Sequence, residues 1–206
     1  MTQALNQSSL DDVPRETREK LEHYVALLAA ETERQNLIAR STIDDIWLRH
    51  IKDSAQLLRF APRNARWVDV GSGAGLPGIV LAIVEVGNIV LIEPRRLRAE
   101  FLSRCVKALE LKNVQVVQSK ADRFTGLADV ITARAVATTA QLFAATHHLS
   151  HPGTMWVLPK GRSGQMELEE ARRTWQGCFH VKPSITQGDA VIIVASKVQP
   201  RLKGRG

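Results

Sequence analysis

Gly71, Gly73 and Gly75 stand at every second position behind an apolar run that carries one acid, Asp69. Glycine accepts a positive φ and puts no Cβ between the backbone and a ligand. The next segment, Leu76 to Val86, is apolar and long enough for a helix, and Pro77 suits its first turn. Strand, glycine loop and helix N-terminus in that order are the layout of a nucleotide-type cofactor site. The spacing narrows the cofactor. A dinucleotide fingerprint, G-x-G-x-x-G, needs its last glycine where this chain has Leu76, and Gly75 falls one place early. A phosphate loop needs a Lys and a Ser or Thr after the glycines, and neither follows Gly75 or Gly78. Asp69, two residues before the first glycine, would repel a pyrophosphate. It suits a ligand carrying a cation and hydrogen-bond donors, such as S-adenosylmethionine (SAM), with its sulfonium and α-ammonium. A merely structural turn is the alternative.

Further acids stand where such a ligand needs them. Glu93 ends the next β-rich segment, about 20 residues after the loop, where these folds hydrogen-bond a ribose diol. Otherwise it is a solvated acid beside Arg95, Arg96 and Arg98. Asp122, after the third strand, can take an adenine amino group or cap a helix. Two other groups could do chemistry. In Arg49-His50-Ile51-Lys52-Asp53-Ser54, a helix would put His50 on one face with Asp53 or Ser54, and a hydrogen-bonded structural histidine is the plainer outcome. Arg134, in Ala133-Arg134-Ala135-Val136, ends the fourth strand, beside the reactive end of any bound cofactor. Neither group makes a metal site or a nucleophile–base–orienter triad, and no metal is expected.

The elements that must position these residues alternate along the chain. Residues 1–13 are expected to be a flexible lead and 14–62 an N-terminal helical appendage. Its first helix, 14–40, carries Leu21, Tyr24, Val25, Leu28 and Leu37 on one face. Its second is capped by Ser41 or Thr42 and runs to about Phe60, ahead of Pro62. The domain proper, 63–198, reads as strands 66–70, 88–92, 114–118, 128–133 and 154–158, with helices 77–86, 95–110, 138–149 and 164–176 between and after them. Strands 178–182 and 190–198 form a closing antiparallel hairpin at the sheet edge. Residues 199–206 are a basic tail. The fold class is α/β.

Composition limits the partners. The 206-residue chain has a formal net charge of +7 and a pI near 9.8, which supports a polyanion. Arg95, Arg96 and Arg98, with Lys160 and Arg162, follow strand ends and would share one rim; ordinary solvated charge is the alternative. Few aromatics interleave with them, so phosphate contact is expected more than base stacking. The two cysteines, Cys105 and Cys178, lack C-x-x-C spacing and read as buried structural thiols. With no signal pattern and no 18-residue apolar run, a cytoplasmic protein without a membrane segment is expected.

Asn36-Leu37-Ile38, Arg49-His50-x-x-Asp53-Ser54, Asp69-x-Gly71-x-Gly73-x-Gly75-Leu76-Pro77-Gly78, Arg134-Ala135-Val136-Ala137 and Lys160-Gly161 together resemble the RsmG (GidB) family. Those are bacterial methyltransferases that make 7-methylguanosine in 16S rRNA. The resemblance spans about 36–197 and implies a Rossmann-like class I SAM-dependent methyltransferase sheet with an N-terminal helical extension. It implies that Gly71 and Leu76 hold the methionine side of SAM, with Asp69 and Gly73 in the same loop. Glu93, Pro94 and Arg95 would lie by the ribose, Ala121 and Asp122 at the adenine, and Arg134 at the pocket. Arg134 and Lys160 are the candidate catalytic residues. Arg49, His50, Lys160 and Arg162, with the arginines at 95, 96 and 98, would be the RNA footprint. The implied partner is 16S rRNA or the 30S subunit, and a monomer is expected. A protein or small-molecule methyltransferase and a noncatalytic RNA-binding module are the competing readings.

Overall fold

The structure, a computed structural model, describes residues 13–62, 64–84 and 87–201. Five parallel strands, β1 (Trp67–Val70), β2 (Ile89–Ile92), β3 (Val114–Val117), β4 (Val130–Thr132) and β5 (Met155–Lys160), are joined by β6 (Trp175–Pro183) and β7 (Val191–Pro200). The order across the sheet is β3-β2-β1-β4-β5-β7-β6. β7 runs antiparallel to both β5 and β6, so the closing hairpin sits at the edge as expected, with its second strand inside. β1, fully buried, reads as an apolar run because helices cover both faces of a parallel sheet. The strand order reverses at β1, so the carboxyl ends of β1 and β4 flank a crevice, the place where open α/β sheets bind ligands.

Two apolar layers sandwich the sheet. α1 (Arg15–Gln35), α3 (Gly78–Ile83) and α4 (Arg96–Ala108) cover one face with Leu21, Leu28, Ile79, Phe101 and Leu102. α5 (Thr139–Thr146) and α6 (Gly164–Ala171) cover the other with Leu142, Phe143 and Leu168. Each such side chain taken from water contributes about 1.5–3 kcal/mol. α1 shares the apolar layer of α3 and α4. α5 opens on a capping box, in which Thr138 accepts from Gln141 N–H and the Gln141 side chain answers the Thr138 N–H.

Several boundaries differ from expectation. α1 stops at Gln35 because Asn36 turns left-handed (φ 48°) and its N–H closes on Thr32 O. Leu37 is thus freed from the helix. Ser41 and Thr42 cap nothing; Arg40–Thr42 is a 3-10 turn. The expected second helix is irregular: a π-helical turn, Trp47–Lys52, then α2 (Asp53–Ala55), then a 3-10 turn, Gln56–Phe60. The widened turn carries His50, and α2 carries Asp53, both buried. Cys178 is exposed on the outer strand β6, whereas Cys105 is buried on α4. The first residues of the expected tail belong to β7, and Arg201 N–H bonds Thr174 O. Residues 1–12 of the lead and 202–206 of the tail lie outside the described residues.

Candidate functional site

The glycine loop leaves β1 with Gly71, Gly73 and Gly75 all at positive φ (67°, 54° and 90°). Gly75 is glycine for packing as well. A Cβ there would lie 2.6 Å from Ile79 and 3.1 Å from the Tyr24 hydroxyl. That hydroxyl, on fully buried Tyr24 of α1, donates to Ala74 O at 2.8 Å. The helical extension therefore braces the loop directly. Gly71 and Ser72 N–H both donate to Ile92 O, at 2.8 and 3.1 Å, tying the loop to the end of β2.

Glu93 follows β2 and is buried at 3% exposure, which excludes the solvated reading. Its Oε2 accepts Gly73 N–H at 2.9 Å and its Oε1 accepts Arg95 N–H at 2.8 Å. Asp69 is placed differently from expectation. It is fully buried and does not line the cleft: Oδ2 accepts Gly78 N–H at 3.1 Å, and Oδ1 has no hydrogen-bond partner. Burial pushes its carboxyl up to about 7, against the opposing pull of the Gly78 N–H.

A first cleft of about 500 Å³ opens over the loop, a size suited to a small-molecule cofactor. Gly71, Gly73, Leu76, Glu93, Pro94, Arg95, Ala121 and Arg134 line it, so the structure brings these expected residues together. Asp122 is not among them; it is exposed, one step past Ala121 in the 3-10 turn Ala121–Arg123, and caps no helix. Arg98 and Lys120 join the wall. Arg96 lines neither this cleft nor its neighbour and pairs with Glu100 one helical turn on.

A second cleft of about 430 Å³ adjoins the first, and Leu37, Arg134 and Ala135 belong to both. Arg134 is held from the irregular segment. Its Nη2 lies 3.1 Å from His50 Nδ1 and its Nη1 3.5 Å from Asp53 Oδ2. A guanidinium only donates, so Nδ1 must be the accepting nitrogen of a neutral ring. The ring proton is then on Nε2, donated to Thr42 Oγ1 at 2.8 Å, and Thr42 donates in turn to Ala39 O at 2.6 Å. Burial, then the charges of Arg134 and Arg49, hold the His50 pKa down at about 4, which keeps the ring neutral. His50 is therefore a buried, hydrogen-bonded group in the wall of the second cleft; its partners are Arg134 and Thr42 in place of the Asp53 and Ser54 side chains. Asp53 Oδ1 accepts Thr186 Oγ1 at 2.6 Å and Gln56 Nε2 at 2.8 Å. Gln56 Oε1 accepts Ile185 N–H at 3.0 Å, which pins the β6–β7 connection against the cleft.

Lys160 lines the second cleft, but its side chain is only 8% exposed. Its Nζ donates to Ala137 O and Glu167 Oε2, each at 2.8 Å. Burial raises the Glu167 pKa, and the Lys160 hydrogen bond and charge outweigh it, so the carboxylate is held below its ordinary value. Lys160 is thus paired within the fold, its ammonium tying β5 to Glu167 of α6. Arg49 lines the mouth of this cleft and is exposed; Arg162 is exposed one residue beyond the lining Gly161.

The bonding roles of Tyr24, Thr42, Gln56 and Thr186 have no signal in the sequence, where Tyr24 stands as an apolar-face residue and Thr42 as a helix cap. Among the described residues no three His, Cys, Asp or Glu side chains group as metal ligands, and no helix is long and apolar enough to cross a membrane.

Comparison with known proteins adds names to this geometry. The family described as GidB, rRNA small subunit methyltransferase G, matches residues 17–191. The chain is 43% identical over 204 residues to a ribosomal RNA small subunit methyltransferase G from Zymomonas mobilis, covering 94% of this chain and 92% of that one. It is 46% identical over 199 residues to one from Rhizorhabdus wittichii, covering 94% and 91%. Among solved structures, a SAM-dependent methyltransferase from Aquifex aeolicus superposes with a TM-score of 0.57 at 17% identity, over 77% of this chain and 98% of that one. The glycopeptide N-methyltransferase MtfA with sinefungin gives 0.61 at 10% identity, over 71% and 93%. These last two likenesses carry the fold alone.

Proposed function

The chain belongs to the GidB family of rRNA small subunit methyltransferases G, and from that premise we propose that it methylates N7 of a guanine in 16S rRNA, using SAM. The first cleft is the SAM site and the second receives the acceptor base. The residues fit SAM. A Cβ built on Gly73 meets nothing closer than Arg98 Nη1 at 3.5 Å, so the loop leaves open space beside the backbone. Glu93 is a buried carboxylate whose oxygens each hold one backbone N–H and keep lone pairs for a ribose diol. Ala121 offers a small surface to adenine. When bound, SAM supplies an electrophilic methyl group on a sulfonium.

The observation that favours a ring nitrogen as acceptor is the engagement of every base in the second cleft. His50 Nδ1 accepts from Arg134, Asp53 is held by Thr186, Gln56 and Arg134, and Glu167 by Lys160. Guanine N7 carries a free lone pair, so it needs no proton removed; the protein has only to hold nitrogen and methyl in line. We infer that it acts as a monomer and in the cytoplasm, where ribosomal subunits form.

The test is transfer of label from SAM to unmethylated 30S subunits and to protein-free 16S rRNA, with the nucleosides resolved afterward. Label in 7-methylguanosine is expected; label in another nucleoside or in none would refute the reading. Arg49, Arg95, Arg98 and Arg162 are expected to meet phosphates. With four such contacts at about 0.7 each, log affinity for RNA should fall against log salt with a slope of about −3. An affinity indifferent to salt would remove the arginine rim from the interface.

Tyr24→Phe keeps the ring in the core and deletes only the hydroxyl that holds Ala74 O. Losing one buried hydrogen bond of this kind costs about 1 kcal/mol. A KM for SAM raised about threefold to tenfold, with kcat nearly unchanged, is the expected result. A KM identical to the parent's would show that the brace does not reach the cofactor.

A further inference from the structure

Arg134 is the one charged side chain that lines both clefts among the described residues, and it stands where they join. Its orientation is fixed from behind. His50 Nδ1 takes an N–H from Nη2 at 3.1 Å, and Asp53 Oδ2 lies 3.5 Å from Nη1. The Thr42 and Ala39 relay holds the imidazole in the tautomer that can only accept at Nδ1. A guanidinium carries more N–H groups than these two partners use, and it has no acceptor atom. The remaining donors are left for whatever occupies the junction.

Guanine presents N7 and O6 side by side on one edge, both acceptors; adenine presents N7 beside an amino donor. A base that offers N7 to the first cleft therefore brings its six-position substituent to the same junction. We propose that Arg134 donates to O6 of the acceptor purine and so selects guanine over adenine, with His50 as the residue that positions it. This rests on the second cleft being the acceptor site. An adenine there would set its amino group against a donor with no lone pair to offer. That is a stronger rejection than a missing contact gives, because a buried donor is left unpaired.

The experiment compares two mononucleotides as inhibitors of methyl transfer by the unaltered protein: inosine 5′-monophosphate and purine riboside 5′-monophosphate. Both carry N7 and neither carries the guanine amino group; the first has O6 and the second has hydrogen there. The inosine nucleotide is expected to inhibit more strongly by about tenfold or more. AMP should be no better than purine riboside monophosphate. Equal inhibition by the pair, or none by either up to its solubility, would overturn the assignment. His50→Leu removes the accepting nitrogen, and His50→Asn keeps an oxygen near the place of Nδ1. The inosine preference should shrink in H50L and persist in H50N; a full preference in H50L would remove His50 from the role. If H50L does not fold, the unaltered protein still decides the Arg134 assignment. Label recovered in 7-methylguanosine without the inosine preference sinks this inference alone. Label absent from 7-methylguanosine sinks the function it rests on.

Discussion

Gly73→Asp is expected to fold as the parent does and to give no heat of SAM binding in calorimetry. Gly73 has φ +54°, a conformation that aspartate tolerates better than most residues. An added Cβ meets no atom closer than 3.5 Å, so nothing in the free protein resists the side chain. The new carboxylate instead fills the cleft. It also stands beside Glu93, whose Oε2 is 4.0 Å from that Cβ. Two like charges brought together in a site largely shielded from water repel. They would repel each other less with one protonated, and either outcome spoils a site built to accept hydroxyl donors. Unchanged affinity would take the glycine loop out of the binding site altogether.

Asp69→Asn should reshape the dependence of stability on pH. The Asp69 carboxyl titrates at about 7 in the folded protein because it is buried. An unfolded aspartate titrates near ~3.9. Between those values the folded state holds the proton and the unfolded state has lost it. Stability therefore falls as pH rises from about 4 to about 7, then levels, and the total is on the order of 4 kcal/mol. His50 works in the opposite sense: its folded pKa of about 4 makes stability fall as pH drops below the ordinary histidine range. The informative quantity is thus the parent-minus-variant difference in denaturant melts at pH 5 and pH 8. Asparagine can still accept the Gly78 N–H, so the loop geometry is kept. A difference that does not change between the two pH values would refute the argument.

What could be read in the chain beforehand divides along a physical line. Gly71, Gly73, Leu76 and Glu93 were legible because their roles depend on local backbone and on strand ends, which apolar runs and glycines mark. The alternation of strands and helices and the edge hairpin follow from the same patterning; the strand order does not. Asp69 and Asp122 were each a carboxylate at a plausible spacing. Whether a side chain faces the cleft, the core or solvent turns on one step of a tight loop, and no periodicity encodes that step. Lys160 was read as a free cation because its partner Glu167 arrives from the following helix. The grip of His50 on Arg134 joins residues 84 positions apart through a π-helical turn. A regular helix was the reasonable expectation for that segment, and it would have turned His50 toward Asp53. Tyr24 and Ala74, 50 positions apart, lay equally beyond reach.

The position of β7 inside the sheet, between β5 and β6, has a bearing on vectorial synthesis. The described walls of the first cleft come from residues between Leu37 and Val136, so a growing chain carries them all before β5 is made. The second cleft also needs Ser184, Gln187 and Val191, and β6 waits without its ladder partner until β7 follows it. The walls of the first cleft are thus all synthesised before the last walls of the second.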